Sequence, residues 1–193
     1  MKSQVTTRRG DGGKTSTLGG DTVSKSHPIV ECTGSVDELR AHIALVRQHV
    51  LAHKPEDYES IAGFLWWLLH VCFALGSQCS DPNNKHPEWR KVDLEQRHLE
   101  RLEREQGRYE EAVKLPKQFI VSATNTLAAE VDVLTTMARR LERSIVRLQE
   151  LEPDFDATLI VMFVNRLSDT LYMLARYLDR GRHQTVDYTV LGP

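Results

Sequence analysis

Three polar segments of this 193-residue chain contain residue types that could hold a phosphate-rich ligand. The first is TTRRGDGGKTSTLGGD at residues 6–21, which supplies hydroxyls, arginines and glycine backbone N–H groups. The ordinary P-loop, G-x-x-x-x-G-K-[ST], would place its first glycine where Arg8 stands. The preceding residues, MKSQVTT, are too polar and too few for a buried strand. The segment is therefore not an ordinary P-loop, although it keeps the chemistry for binding phosphate.

The second segment, ARRLERS at residues 138–144, lies in a predicted helix. Arg139 and Arg143 are four residues apart, so both guanidinium groups share one face, with Glu142 beside them. Arginine offers forked donors that match phosphate oxygens, and such a face could clamp a polyphosphate. A solvated helix face with local ion pairs explains the same residues without a ligand, and the motif alone favours that explanation.

The third segment, VNRLSDTLYMLAR, lies in the last predicted helix. Asn165, Asp169, Tyr172 and Arg176 recur at spacings of 4, 3 and 4, which makes a polar stripe beside an apolar one. Such a stripe inside a bundle costs stability unless its members meet partners or a ligand. Exposure to solvent is an equally good explanation.

The histidines give a weaker signal for chemistry. His49 and His53 have a spacing that suits a metal, but with no third well-placed ligand a structural role is favoured. His70 lies two residues before Cys72 in an apolar helix and is predicted to be in the core. No G-x-S-x-G elbow for a serine nucleophile occurs.

Five helices are predicted to position these side chains. A capping box formed by Ser35 and Glu38 predicts the start of the first, which should run to about residue 53. The others are predicted at about 56–80, 88–110, 125–151 and 155–180, with a short extended piece before the fourth and no convincing sheet. The predicted domain plan is an arm at 1–34, an all-α five-helix bundle at 35–181 and a tail at 182–193.

Composition narrows the partners and the compartment. The 25 basic and 27 acidic residues nearly balance, which argues against a nucleic-acid surface built on bulk positive charge. Three cysteines without a CxxC pair favour a reduced cytosolic compartment. The densest apolar run, residues 61–75, is short for a bilayer span, so no membrane is expected. Adjacent Trp66 and Trp67 point in different directions, which predicts burial on two sides and hence an oligomer.

Taken in order, the polar segments resemble the PduO-type ATP:cob(I)alamin adenosyltransferases. The resemblance rests on the arm at residues 7–16, Lys25, GSVDEL at 34–39, RRLER at 139–143 and NRLSD at 165–169. It extends from residue 7 to about residue 178. It implies a five-helix bundle of the cobalamin adenosyltransferase type that forms a homotrimer, with ATP wrapped by the N-terminal arm and bound between neighbouring subunits.

The resemblance also implies which residues act on ATP. The implied ATP contacts are Thr7, Arg8, Arg9, Gly10, Thr15, Ser16, Lys25, Arg139, Arg140, Leu141, Glu142, Arg143 and Asn165. The implied catalytic residues are Arg139, Glu142, Arg143 and Asp169. Mg²⁺ is expected to enter with the ATP phosphates, and the sequence assigns no protein ligand to it.

The implied reaction is attack by the cobalt(I) of reduced cobalamin on the 5′ carbon of ATP, which gives adenosylcobalamin and triphosphate. Phe119 is implied to close the lower face of the corrinoid, with a core anchor as the alternative role. A flavoprotein reductase and a B12-dependent mutase are the implied partners. The expected compartment is the cytoplasm, or the mitochondrial matrix for a processed eukaryotic protein.

The chain departs from the family pattern on the corrinoid side. Residues 121–124 read VSAT where Leu-Pro-Gly-Gly is usual. Thr135 stands where the family has an arginine that often pairs across subunits with the aspartate at position 37. Arg40 is a candidate for the replacement charge beside Asp37. These departures leave a second hypothesis open, a non-catalytic carrier or regulator that binds ATP and corrinoid. A plain helical interaction module without a ligand is the third.

Overall fold

Five long helices form the frame of the protein in a computed structural model that describes residues 6–182 and 184–192. They span Pro28–His53 (α1), Tyr58–Ser80 (α2), Gln96–Ala112 (α3), Thr126–Leu151 (α4) and Thr158–Leu178 (α5). Helix α1 packs against α2 and α4, and α5 packs against α3 and α4. The prediction of an all-α five-helix bundle is confirmed.

Helix α1 begins seven residues before the predicted start, so the capping-box interpretation is wrong. His27 caps the helix through Nδ1, which accepts a hydrogen bond from Ile29 N at 3.3 Å. Pro28 occupies the first turn, where its missing N–H costs nothing. Ser35 instead lies buried inside the helix, with its Oγ donating to the carbonyl of Glu31 at 3.0 Å. The predicted arm boundary at residue 34 therefore falls within α1.

Helix α3 begins at Gln96, eight residues later than predicted. A 3-10 turn at Pro87–Trp89 takes up the earlier residues. The true start is a capping box, in which the backbone N–H of Glu95 donates to His98 Nδ1 at 2.8 Å. The remaining helix bounds agree with the sequence to within about three residues.

Two small antiparallel sheets contradict the expectation that the chain has none. Strands Lys14–Ser16 (β1) and Thr22–Ser24 (β2) form a hairpin in the arm. Strands Ile120–Ser122 (β3) and Gln184–Thr185 (β4) bring the C-terminal tail to the turn that follows Phe119. Strands of two or three residues are too short to give an alternating pattern in sequence.

Helix α2 is buried on one side and exposed on the other. Phe64, Leu65 and Leu68 are in the core, whereas Trp66 and Phe73 are 52% and 66% exposed. The prediction that His70 belongs to the core is wrong, because it lies on the exposed side with its ring against Trp66. By length and composition α2 alone among the helices of the described chain could cross a membrane, a test that core helices of bundles also pass.

The arm docks on the C-terminal end of α2. The backbone N–H groups of Leu18 and Gly19 donate to Ser80 Oγ at 2.9 Å and to the Ser80 carbonyl at 3.3 Å. Gly19 approaches so closely that an added Cβ would lie 2.9 Å from Oδ1 of Asp81. That carboxylate is buried and accepts the backbone N–H groups of Lys85 and His86 at 2.8 and 2.9 Å, so it cannot easily move.

We therefore expect Gly19→Ala to loosen the arm. Displacing Asp81 by a methyl group should cost on the order of 1–3 kcal/mol, which increases the open population of the arm roughly 5- to 150-fold. The rate of tryptic cleavage within residues 8–25 measures this population. Gly12→Ala is the matched control because no atom lies within 4 Å of a Cβ at that position. Equal cleavage rates for the two variants would show that the contact with Asp81 does not hold the arm.

Candidate functional site

A cavity of about 540 Å³ lies between α4 and α5. The predicted catalytic residues and Asn165 all line it, together with Ser168 of the NRLSD motif and three residues that lie outside the motifs. The lining residues are Arg139, Glu142, Arg143, Val146, Arg147, Glu150, Asn165, Ser168 and Asp169. The structure thus brings the second and third polar segments together in one place.

Helical periodicity explains why these side chains converge. The lining positions on α4 recur at spacings of three and four, so they share one face of that helix. The opposite face carries Leu141 and Ile145, which are fully buried and hold α4 in the core. Leu141 therefore contributes packing, and its side chain does not line the cavity.

The cavity has a positive side and a hydrogen-bonded link across it. Asn165 Nδ2 donates to Glu142 Oε1 at 3.1 Å and so joins α5 to α4. Within the described part of the chain, Arg139, Arg143 and Arg147 form no ion pair. Unpaired guanidinium groups on one face provide forked donors for an anion with several oxygens.

Arg140 and Asp169 have partners inside the chain. Arg140 forms an ion pair with Glu38 of α1 and does not line the cavity, so it is separated from Arg139 and Arg143. Asp169 lies 3.6 Å from a guanidinium nitrogen of Arg166, which also contacts Glu103 of α3 at 3.3 Å. Asp169 is therefore held at the edge of the cavity by a salt-bridge network.

The predicted arm residues form a compact turn at a different place. The carbonyl of Gly10 accepts from Gly13 N at 3.1 Å, and the carbonyl of Gly13 accepts from Lys25 N at 2.9 Å. Gly10 lies directly against the Lys25 side chain, since an added Cβ would be 2.9 Å from Nζ. The predicted arm contacts whose side chains are exposed are Thr7, Arg8, Arg9, Ser16 and Lys25, and Thr15 is half-buried. Among the described residues of one chain, no hydrogen bond or ion pair joins 7–25 to the α4–α5 cavity.

Phe119 stands out from the protein surface. Its side chain is 79% exposed, so the alternative role of a core anchor is wrong. Its backbone carbonyl accepts from Val186 N at 2.8 Å, next to the β3–β4 ladder. An exposed phenylalanine held by its backbone can cover an apolar face of another molecule.

The departures near Asp37 have a local structural explanation. Asp37 Oδ1 accepts from Arg40 at 3.2 Å, so the replacement charge suggested by the sequence does pair with this carboxylate. Thr135 is buried in α4 and its Oγ1 donates to the Val131 carbonyl at 3.2 Å. The threonine is satisfied within its own helix and makes no bond to Asp37.

A second, more apolar cavity of about 670 Å³ was not predicted from the motifs. It lies along α1, α2 and residues 89–98, and its lining includes Asp37, Arg40, Phe73 and Trp89. The signal for it in the sequence was that α2 is apolar most of the way round. Such a helix has more apolar surface than one core can bury. Among the described residues, no group of three or more His, Cys, Asp or Glu side chains could hold a metal ion.

Comparison with known proteins gives one consistent result. The sequence model of the cobalamin adenosyltransferase family matches residues 5–178. The corrinoid adenosyltransferase PduO of Salmonella typhimurium is 34% identical over 185 residues, which cover 93% of this chain and 51% of that protein. The cobalamin adenosyltransferase of Cupriavidus metallidurans is 32% identical over 182 residues, which cover 93% of this chain and 90% of the relative. This chain thus spans about half the length of the Salmonella protein and most of the other.

A solved structure shares the whole fold. It is a variant of the PduO-type ATP:corrinoid adenosyltransferase from Lactobacillus reuteri, complexed with cobalamin and ATP. It aligns with a TM-score of 0.82 at 26% identity, over 96% of each chain. A further variant of the same protein, complexed with ATP, aligns with a TM-score of 0.77.

Proposed function

The chain belongs to the cobalamin adenosyltransferase family, and we propose that it transfers the 5′-deoxyadenosyl group of ATP to cob(I)alamin. The observation that carries the proposal is the α4–α5 cavity, where Arg139, Glu142, Arg143 and Asn165 converge. Such a donor set suits a triphosphate, and a structural relative over the whole chain binds both ATP and cobalamin.

In the proposed reaction, an electron pair of cobalt(I) attacks the 5′ carbon of ATP. A cobalt–carbon bond forms while the bond from that carbon to the α-phosphate oxygen breaks, and triphosphate leaves with the bonding pair. Cobalt is thereby oxidised formally from I to III. Because cobalt(I) is a strong nucleophile, the protein needs no base to activate it, and its contribution is alignment and stabilisation of the leaving group.

We assign the charge stabilisation to the arginines of α4. Arg139 and Arg143 have no carboxylate partner among the described residues, so their donors are free for the departing triphosphate. Glu142 and Asn165 hold each other at 3.1 Å, an arrangement that fixes two polar groups beside the ligand. Asp169, which forms an ion pair with Arg166, is proposed to be a catalytic residue at the edge of the same cavity. Mg²⁺ bound to the phosphates would add positive charge.

We further propose that the arm of one subunit completes the cavity of the next. The arm docks on α2, and within the described chain it makes no bond to the α4–α5 cavity, so its exposed donors face outward. A homotrimer with sites between subunits would bring Thr7, Arg8, Arg9, Gly10, Thr15, Ser16 and Lys25 to the ATP of a neighbour. The exposed aromatic face of α2 also supplies apolar surface for association.

A mixing experiment tests this arrangement. Lys25→Ala alters only the arm, and Arg143→Ala alters only the helical half of a site. If each site takes its arm and its helices from different subunits, random mixed trimers should regain about a quarter of wild-type activity, because one site in four joins two intact halves. Activity in the mixture no higher than in the separate variants would place both halves of a site in one subunit.

Phe119 is proposed to cover the lower face of the corrinoid. An apolar plug displaces the lower ligand without supplying a new one, so cobalt(II) becomes easier to reduce. Its exposure makes it available for this contact. We also propose two partners, a flavoprotein reductase that supplies the electron and a B12-dependent mutase that receives the product. The proposed location is the cytoplasm or the mitochondrial matrix.

A further inference from the structure

One buried carboxylate fastens the turn after Phe119 to the end of α5. Asp179 Oδ1 accepts hydrogen bonds from both N and Oγ1 of Thr124, each at 2.8 Å. The same oxygen accepts a third bond from Asn125 Nδ2 at 3.1 Å. Asn125 in turn caps α4, because its Oδ1 accepts from Ala128 N at 2.9 Å. A single side chain therefore fixes both the end of the turn and the start of α4.

A buried arginine lies beside this carboxylate. The side chains of Arg176 and Asp179 are 1% and 0% exposed, with a nitrogen–oxygen distance of 3.9 Å. Arg176 also forms an ion pair with Asp132 of α4. A buried carboxylate is costly unless a positive charge accompanies it, so the nearby guanidinium of Arg176 lowers the cost of burying Asp179 beside Thr124.

The other end of the turn is fixed as well. Next to the β3–β4 ladder, the Phe119 carbonyl accepts from Val186 N at 2.8 Å. Only residues 120–123 lie between this bond and the one at Thr124. A segment this short with both ends fixed has few backbone conformations, so the position of Phe119 depends on its anchors. Its side chain has no such anchor, being 79% exposed.

We propose that Asp179 is a positioning residue, which acts through Thr124 to hold Phe119 where it meets the corrinoid. This inference rests on the proposed function. Thr124 stands where the family pattern usually has glycine, and its hydroxyl adds a bond to Asp179 that glycine cannot make. The threonine hydroxyl thus adds an anchor in the stretch where this chain departs from the family pattern.

Thr124→Val and Thr124→Ser form a matched pair for the test. Valine keeps the shape but removes the Oγ1 donor, whereas serine keeps the donor. Thr124 is exposed, so neither change threatens the fold. We expect Thr124→Val to raise KM for cob(I)alamin about threefold and Asp179→Asn about tenfold, with KM for ATP within about twofold of wild type. Thr124→Ser should behave as wild type.

The spectrum of bound cobalt(II) supplies a readout that a general loss of stability would not move. In the presence of ATP, the fraction of protein-bound cob(II)alamin without a lower ligand should fall in Thr124→Val and Asp179→Asn, and remain unchanged in Thr124→Ser. Should Asp179→Asn fail to fold, the threonine pair carries the test alone. Wild-type KM values and spectra for Thr124→Val would overturn the proposal.

Hydrogen exchange separates this inference from the proposed function. The amides of residues 120–124 should exchange about threefold faster in Thr124→Val than in wild type, whether or not the protein is active. A wild-type protein that makes no adenosylcobalamin would overturn the proposed function, and faster exchange in the variant would still support the anchor. Unchanged exchange would show that the Thr124 hydroxyl does not anchor the turn, even if the enzyme is active.

Discussion

Arg143→Ala should lower kcat/KM for ATP by about 10²–10³-fold, because it removes one preorganised donor to the triphosphate. Arg143 lines the α4–α5 cavity and, among the described residues, is bound to no carboxylate. Its charge is therefore available where negative charge develops on the leaving group. Steady-state kinetics with saturating cob(I)alamin measures the loss, and circular dichroism confirms that the variant is folded.

Arg147→Ala is the matched control for this variant. Arg147 lines the same cavity one turn further along α4 but lies outside the RRLER motif. Its loss should lower kcat/KM for ATP by no more than about threefold, since an exposed charge outside the motif is expected to act mainly through long-range attraction. Equal losses for the two variants would mean that the cavity attracts ATP by charge alone and that Arg143 has no specific role.

Arg176→Met should destabilise the fold far more than the loss of a surface arginine does. It leaves Asp132 and Asp179 without their positive partner, and breaking a buried pair in this way costs about 3–5 kcal/mol. Urea unfolding at pH 8 measures the loss. Arg104→Met removes one positive charge from an exposed position of α3 and should change the free energy of unfolding by less than about 0.5 kcal/mol.

The loss of stability caused by Arg176→Met should also depend on pH. Burial raises the pKa of Asp132 above its ordinary value, and the opposing effect of Arg176 offsets only part of that rise. Without Arg176 this folded-state pKa rises further, so the folded state binds the proton more tightly than the unfolded chain does. Stability is then greatest below the unfolded pKa and is lost as pH rises through the folded one. The gap between Arg176→Met and wild type should therefore narrow from pH 8 towards pH 4, and a constant gap would show that the lost packing, not charge, dominates.

Local sequence patterns correctly predicted which side chains share a helix face, because that depends only on helical periodicity. Arg139, Glu142 and Arg143 share a face because their spacing is three and four, and the same rule placed Asn165 and Asp169 on α5. That the two faces meet across one cavity could be expected from the family resemblance. The individual motifs left solvated surfaces as the better or an equal explanation.

The errors occurred where distant residues decide the structure. Ser35 looked like a helix cap, but it lies inside α1 within 3.4 Å of Ser144 on α4. The docking of Gly19 on Asp81 and the anchor of Thr124 on Asp179 join residues that are 62 and 55 positions apart. No local pattern carries such a contact, and the two small sheets are likewise invisible in sequence.

The most direct measurement of the central claim is an anaerobic assay with purified protein, chemically reduced cobalamin and Mg-ATP, followed in the visible spectrum. The proposal predicts that the cob(I)alamin band disappears while adenosylcobalamin and triphosphate form in equal amounts, and only when protein is present. ATP binding by calorimetry without any formation of adenosylcobalamin would contradict it. That outcome would instead make the chain a non-catalytic carrier or regulator built on the same fold.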